Sequence, residues 1–572
     1  MKHSMKRLLG WLMAIMMLVG MMSTGMAETV YTGEAKGFAG QIKVEVSVDG
    51  GAITGVSVVE NNETQGVGTN AIAMLPGRIV ETQSIAVDSV SGCTVTSEAL
   101  LAAVKTALEG SGLDMEKLMT PPAAKALTGE DKTVDTDVVV VGAGLAGLTA
   151  AIRAQENGAD VILLEKMSFT GGNSKLSSGA FFLGGTEIQA AAGVEDTPDL
   201  FYDYIMEKSG GKRDPIQVRA VADMGNDAIK WLMTAGIQVS DEVSAVMGCP
   251  VYRVHHALPN APGMIDVLTA TAKERGIELL LDTPATELIV KEDGAVAGVK
   301  ANAADGGVLT VNAKKVILAA GGFGADPELL KKYWGLNSVG YAGVTGTTGE
   351  MIVACLELGA DTMDISEPWL SPTIEVTTNT LMTSGEISKG AILVTSDGKR
   401  FTNEPASYME TSQAVYATGE EVVYEIFDSN VKELQVKVPD YIAMGVVTEA
   451  ATLEELAAKI GLPAENLIAT VETYNAGVRG DAPDPFGREI YGKECNKGPY
   501  YSITVRPGTI MTPGGLKVNE KCEVIKTDGT TIPNLYAIGE MTGGYRAFGY
   551  IGGDSLSHCL VSGLIAANDA TK

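Results

Sequence analysis

A six-residue glycine pattern set between two apolar runs limits the fold of this chain more than any other feature. Thr136-Asp-Val-Val-Val-Val141 is short, apolar and β-branched, as a strand buried on both faces must be. Gly142-Ala-Gly144-Leu-Ala-Gly147 follows without a break, and Leu148 to Asn157 then reads as a helix. A second apolar run, Asp160-Val-Ile-Leu-Leu164, ends in Glu165. Glycines so placed permit a tight turn and let amide N–H groups at the helix start meet a pyrophosphate. Glu165 is placed to accept hydrogen bonds from ribose hydroxyls. The glycine spacing alone is weak evidence. Between two strands, with an acid at the right distance, it predicts a dinucleotide-binding β-α-β unit.

The chain of 572 residues has room for several domains. Its 43 Lys and Arg against 71 Asp and Glu leave a net charge of −28. That charge repels phosphate backbones and excludes nucleic acid as the main partner. The 68 glycines show no three-residue period, so they mark tight turns and close backbone approaches rather than a collagen-like repeat. Six cysteines lie scattered with no CxxC spacing, and only four histidines occur, so no metal centre is expected.

Residues 1–27 stand apart. Lys2, Lys6 and Arg7 precede an apolar run from Leu8 to Met22, and small Gly25 and Ala27 follow, as in a secretory signal peptide cleaved before Glu28. Retention as an anchor is the alternative; either way the protein is expected to be exported, extracytoplasmic at the cell surface or secreted. Residues 28–119 form a first unit, with strands over Gln41–Val48 and Ile53–Val59 joined by an Asp49-Gly50-Gly51 hairpin turn, and a helix over Ser97–Leu108. Residues 120–134, rich in Pro and polar turn formers, read as a linker. From Asp135 onward strands alternate with helices, the pattern of a parallel α/β sheet.

Further glycine blocks follow in order: Thr170-Gly-Gly-Asn-Ser174 with Gly179 just after, Val316 to Gly324, and Asn534 to Gly544 ahead of a final helix over Ser555–Asn568. Together with the Gly142–Gly147 motif they resemble the fumarate reductase and succinate dehydrogenase flavoproteins, a family that includes flavocytochrome c and urocanate reductase. The resemblance covers about residues 135–572. It implies an α/β fold in which a Rossmann-like FAD-binding domain, residues 135–366 and 510–572, is interrupted by an α+β capping domain that binds substrate, residues 367–509. It further implies that Gly142, Gly144, Ala146, Gly147 and Glu165 hold the adenosine half of FAD. Asn173, Ser174 and Gly179 would lie near the flavin ring, with Glu540, Ser555 and Leu556 on the ribityl and ring side.

In the first unit, Asp88-Ser-Val-Ser-Gly-Cys-Thr94-Val-Thr-Ser97 resembles the flavinylation motif of FMN-binding domains. Residues 28–119 are accordingly identified as a small α+β FMN-binding domain. By that resemblance a flavin transferase joins the Thr94 hydroxyl to the FMN phosphate, Cys93 standing where alanine is usual. A phosphate ester at a helix start meets free N–H groups and the positive dipole end. The plain alternative makes Thr94 a helix cap.

The family resemblance also exposes a departure. An arginine that donates the proton follows a Gly-x-Arg-Phe-x-Asn-Glu block, here Gly398 to Glu404, and its position falls on Tyr408. A second arginine that clamps a substrate carboxylate falls on Tyr550. Two histidines expected near Ser371 and Met511 are absent as well. Fumarate is therefore a poor candidate. Tyrosine can donate a proton or bind a carbonyl, as in the related ketosteroid dehydrogenases; the alternative is that both tyrosines only line an apolar pocket. Arg546, the cation nearest the C-terminal glycines, is the candidate to hold a single substrate carboxylate. These residues imply a two-flavin reductase of an enoate or enone, taking electrons from a membrane quinol- or flavin-linked donor. A ketosteroid-type dehydrogenase and a non-catalytic flavin electron-transfer protein are the alternatives.

Overall fold

The structure, a computed structural model, describes residues 29–64, 67–90, 92–122, 128–245, 249–382, 385–489 and 491–572. The leader over residues 1–27, Ser91 of the flavinylation motif and residues 123–127 of the linker lie outside the described residues. Two units result, Met1–Glu63 with Gly68–Ala124, and Lys125–Lys572 with Thr64–Val67.

The first unit is built on a three-stranded antiparallel sheet, Thr29–Lys36, Gln41–Asp49 and Ala52–Glu60 in that order. Ile42, Val44, Val46 and Val48 alternate inward along the middle strand, as period-two patterning dictates. The hairpin closes through Gly50 at φ +58° and Gly51 at φ +81°, the two positive values a tight two-residue turn requires. Three helices complete the unit, Gly68–Thr82, Thr94–Leu108 and the short Met115–Leu118. The helix Thr94–Leu108 begins three residues before its expected start, and buries Leu100, Ala103, Val104 and Leu108. The sheet approaches it so closely at Gly33 that a Cβ there would lie 2.2 Å from the Ala103 carbonyl oxygen. The helix Gly68–Thr82 was not expected, because Pro76 and Gly77 break its apolar pattern.

The second unit contains an eight-stranded sheet. Lys132–Val141 runs through its middle, parallel to Val161–Leu164 on one side and Val308–Leu318 on the other. The strand thus begins inside the expected linker. Val138 to Val141 are buried, consistent with a strand covered on both faces. The helix Leu145–Glu156 packs on the C-terminal helix Asp554–Ala570, and Gly563 permits the contact: a Cβ there would lie 2.8 Å from the Ala146 carbonyl oxygen.

A six-stranded sheet occupies the expected capping region, with Tyr500–Thr509 as its long strand. Ser371–Glu375, Val423–Asp428 and Val447–Ala450 pair with that strand antiparallel. Gly340–Tyr341 also pairs with it, so the sheet recruits chain from well before residue 367. Arg400 and Glu404, both from the Gly398–Glu404 block, form a buried ion pair at 2.7 Å. Asp484 and Arg488 complete the cluster at 2.6 and 3.0 Å. Removing one partner of such a pair leaves an uncompensated buried charge, so the cluster pins this corner of the fold. Among the described residues no helix is long and apolar enough to cross a membrane.

Candidate active site

The strand Lys132–Val141 stops at Gly142 because the chain must turn sharply there. Gly142 has φ +103°, and a Cβ would lie 2.4 Å from the Ala319 carbonyl oxygen of the neighbouring strand end. Gly147 backs this turn, where a Cβ would come within 1.8 Å of the Gly142 carbonyl oxygen. Gly144 differs. Its φ is −73° and a Cβ there would meet only the Gly171 carbonyl oxygen at 3.6 Å, so an added side chain would point into open space. Gly144 is also the N-cap of the helix Leu145–Glu156 and offers no capping side chain. The helix start is left to an anion.

That open space is a cleft of about 870 Å³. It brings together Gly142, Gly144, Ala146, Glu165, Asn173, Ser174 and Glu540 from the sequence-predicted set. Glu165 is fixed at its wall by the amides of Ala143 and Met167, each 2.8 Å from a carboxylate oxygen. At the other end the Asn173 amide donates to Glu540 Oε2 at 2.9 Å and to the Tyr341 hydroxyl at 3.0 Å. Its Oδ1 accepts from the Val344 amide at 2.8 Å. Burial pushes both the Glu165 and Glu540 carboxyls up, against the amides that hold their charged forms. The helix start, the glycine-walled cleft and the two anchored carboxylates fit FAD. Gly147, Gly179, Ser555 and Leu556 are not among the cleft-lining residues. Gly147 and Gly179 shape the backbone behind it, a Cβ on Gly179 lying 2.8 Å from the Ala261 amide nitrogen. Leu556 is core, and Ser555 faces Met511 with its hydroxyl 3.6 Å from the thioether sulfur.

Tyr408 and Tyr550, far apart in sequence, meet the same ring. Trp369 lies 6.1 Å from Tyr408 and 5.5 Å from Tyr550 between centroids, both edge-on. Tyr408 is the first residue of the helix Tyr408–Thr418, which Ser407 and Glu410 cap reciprocally. Its side is held by Thr411, which donates to the carbonyl of buried Glu404. Tyr550 hydrogen-bonds Ser555; burial first, then the Asp554 charge, raises its hydroxyl above its usual range. Sequence reading missed Trp369. Its only signal was a tryptophan beside a proline ahead of a strand.

Arg546 requires a correction. It is 1% exposed, and its guanidinium donates to His558 Nδ1 at 2.9 Å, to the Gly539 carbonyl at 2.8 Å and to the Thr542 carbonyl. His558 in turn donates Nε2–H to Gln217 at 2.8 Å. Both Nη atoms are thereby committed inside the fold, and only the buried Nε is left without a partner for a substrate carboxylate to reach. Thr94 is exposed, and the helix cap is Cys93, which makes no side-chain capping bond. The capping alternative for Thr94 is thereby removed.

The chain is similar to known flavoproteins. The FAD binding domain family matches residues 137–556, and the FMN-binding domain family matches residues 37–109. The urocanate reductase of Eggerthella lenta is 30% identical over 571 residues, covering 96% of this chain and 93% of that protein. The NADH:fumarate oxidoreductase of Klebsiella pneumoniae is 32% identical over 544 residues; this chain spans 93% of itself but 57% of that longer protein. A flavocytochrome c3 fumarate reductase in its open conformation superposes with a TM-score of 0.73 at 31% identity, over 80% of this chain and 81% of the other. The chain therefore belongs to the fumarate reductase-like FAD flavoproteins, as an FAD-dependent oxidoreductase of C=C bonds with an N-terminal FMN-binding domain.

Proposed function

We propose that the protein is an exported two-flavin reductase that saturates a C=C bond conjugated to a neutral carbonyl or to a single carboxylate. The observation that carries this reading is the Tyr408–Trp369–Tyr550 array, tyrosines standing where the family resemblance places arginines. Relatives named for fumarate and urocanate support the reaction type, and the missing arginines argue against a dicarboxylate.

When bound, FAD supplies a hydride to one carbon of the double bond. The first-turn amides beside Gly144 and the Glu165 carboxylate hold its adenosine half, and Asn173 with Glu540 orients the ring side. Tyr550 keeps its proton because burial disfavours the phenolate, so its hydroxyl donates to the substrate carbonyl and draws electron density from the double bond. Tyr408 Oη gives a proton to the other carbon. At 44% exposure it regains that proton from water. On the first unit Thr94 carries FMN as a phosphate ester made by a flavin transferase. Held there, FMN would supply the entry point for electrons, and a membrane quinol- or flavin-linked carrier is the donor this reading requires.

The test is anaerobic. The holoprotein is reduced with viologen and mixed with fumarate, simple enoates and enones while flavin absorbance is followed. Reoxidation by enones or monocarboxylates with fumarate slow is the expected result. Fumarate turnover at ordinary enzyme rates, about 1–10³ per second, would overturn it. No reoxidation by any acceptor would leave an electron carrier, and dye reduction driven by a saturated ketosteroid would make the protein a dehydrogenase.

A further inference from the structure

We infer that the Glu425 carboxyl is a proton-operated switch in the six-stranded sheet: while it holds a proton, the core beneath the helix Tyr408–Thr418 stays closed, and when the proton leaves, that core loosens. The inference is independent of the substrate. Glu425 lies in the middle of the strand Val423–Asp428, opposite Leu393 on one neighbouring strand and Ile503 on the other. Strand alternation turns it the same way as Val423 and Phe427, and those two residues share one apolar core with Leu393 and Ile503. Glu425 is 0% exposed, and among the described residues neither of its carboxylate oxygens has a hydrogen-bond partner. A carboxylate in that place has lost its water and gained nothing in return, whereas the neutral acid loses far less. Val415 of the helix Tyr408–Thr418 packs on the same core, and Ser412, one turn earlier, is fully buried. A charge in this core therefore acts on the helix that presents Tyr408.

The charge that acts on Glu425 is of the same sign. Glu386 is buried on the short helix Gly385–Lys389, whose Ile387 joins the core, and its carboxyl adds to burial in pushing Glu425 well up. The other charged groups on the elements packed there are exposed or engaged. Lys389, Glu410, Glu433 and Asp440 are exposed, as is Tyr408. Lys432 donates to the Tyr501 hydroxyl at 3.1 Å and Arg506 to Asn379 at 2.8 Å. Asp428 accepts the amides of Asn496 and Lys497 at 2.9 and 2.7 Å. Glu404, which accepts the Leu393 amide, is paired with Arg400 and Arg488. Tyr416, Tyr441 and Tyr501 offer phenols and no fixed charge. Tyr424 and Tyr500 pack on a second core. No cation compensates Glu425 among these groups, so its ionised form is the unstable one.

The test follows melting of the holoprotein from about pH 5 to about pH 8 in the unaltered chain, Glu425→Gln and Glu425→Asp. The folded chain keeps a proton that the unfolded chain releases near pH ~4.3, so stability is full below that pH and falls as pH rises. Over this range the unaltered protein should lose about 5 °C more than Glu425→Gln, and Glu425→Asp should follow the unaltered protein. Hydrogen exchange, corrected for its intrinsic pH dependence, reads the loosening directly. Protection of residues 408–428 should fall about tenfold from about pH 6 to about pH 9 in the unaltered protein and stay level in Glu425→Gln. Should Glu425→Gln fail to fold, Glu425→Leu, which also removes the charge and suits the apolar core, takes its place. Parallel melting curves for the unaltered and charge-free proteins would overturn the switch. So would melting that tracks sodium or potassium at fixed ionic strength and loses that dependence in the charge-free variant, because a bound cation would then occupy the place given to the proton.

Discussion

At the scale of single residues, the chemistry turns on which polar side chains reach the surface. Tyr408 and Arg546 were equally visible in the sequence, yet their surroundings differ. Tyr408 is surface-accessible at the start of a capped helix, whereas Arg546 is buried and spends both Nη atoms on His558 and two carbonyls. Tyr408→Phe should slow the oxidative half-reaction by about 10²–10⁴-fold with FAD retained, read by stopped-flow absorbance. Tyr550→Phe should act on affinity, by about 1–2 kcal/mol for one lost hydrogen bond, seen as a raised KM. His558 carries a pH dependence. Burial first, then the charges of Arg546 and Arg213, holds its imidazole well below its usual range, so the folded chain keeps it neutral. The unfolded chain takes up a proton near pH ~6.5. Between those values the unfolded state binds more protons, so stability is full above that pH and is lost as pH falls, by about 1.4 kcal/mol per unit for this group. Melting temperatures from neutral to acid pH should therefore drop more steeply in the unaltered protein than in His558→Gln. Parallel curves would remove His558 as the cause.

Elements set the cofactor site through contacts between strand ends and helix starts. Each glycine of the motif was legible, but not the different job each one does. Gly147 is needed because the helix Leu145–Glu156 crosses the Gly142 carbonyl, and Gly142 because the strand end at Ala319 sits beside it. Of the three, only Gly144 has open space where a side chain would go. Gly144→Val should therefore fold with a near-normal melting temperature as apoprotein but fail to retain FAD, measured by the ratio of flavin to protein absorbance. Gly147→Ala should lower the melting temperature of the apoprotein itself, since its methyl would sit 1.8 Å from a carbonyl oxygen. Equal stability of the two variants would mean the turn can relax. The helix Gly68–Thr82 shows the opposite situation, an element that the sequence obscured because packing of Ala71, Leu75 and Ile79 outweighs Pro76.

For the whole molecule, the division of labour between two units makes the flavins separable. Thr94 lies exposed at a helix start in the first unit, and the FAD cleft lies wholly in the second. Thr94→Ala, co-expressed with a flavin transferase, should lose covalent FMN by mass spectrometry while keeping acid-releasable FAD. Undiminished covalent FMN would move the attachment elsewhere. Reduced viologen should drive turnover by the purified protein and NADH should do so poorly, because the chain shows no nicotinamide fingerprint apart from the FAD motif. Rapid oxidation of NADH by the protein alone would contradict that donor assignment.

The order of strands, glycine turns and acids along the chain was enough to determine the fold class and the FAD and FMN domains. Those motifs are local: a β-branched run, a Gly-x-Gly-x-x-Gly turn and an acid on the next strand end specify one supersecondary unit within about thirty residues. The tertiary structure alone decided which side chains gather around Trp369. Trp369, Tyr408 and Tyr550 become neighbours only because the capping sheet and the C-terminal helix converge there, and no periodicity records a contact between residues 369 and 550. The same holds for Arg546, whose charge is plain in the sequence but whose role depends on His558 one helix face away and on carbonyls that only the packed turn directs toward it. Local backbone rules are written in short windows, whereas the availability of a side chain is set by everything packed against it.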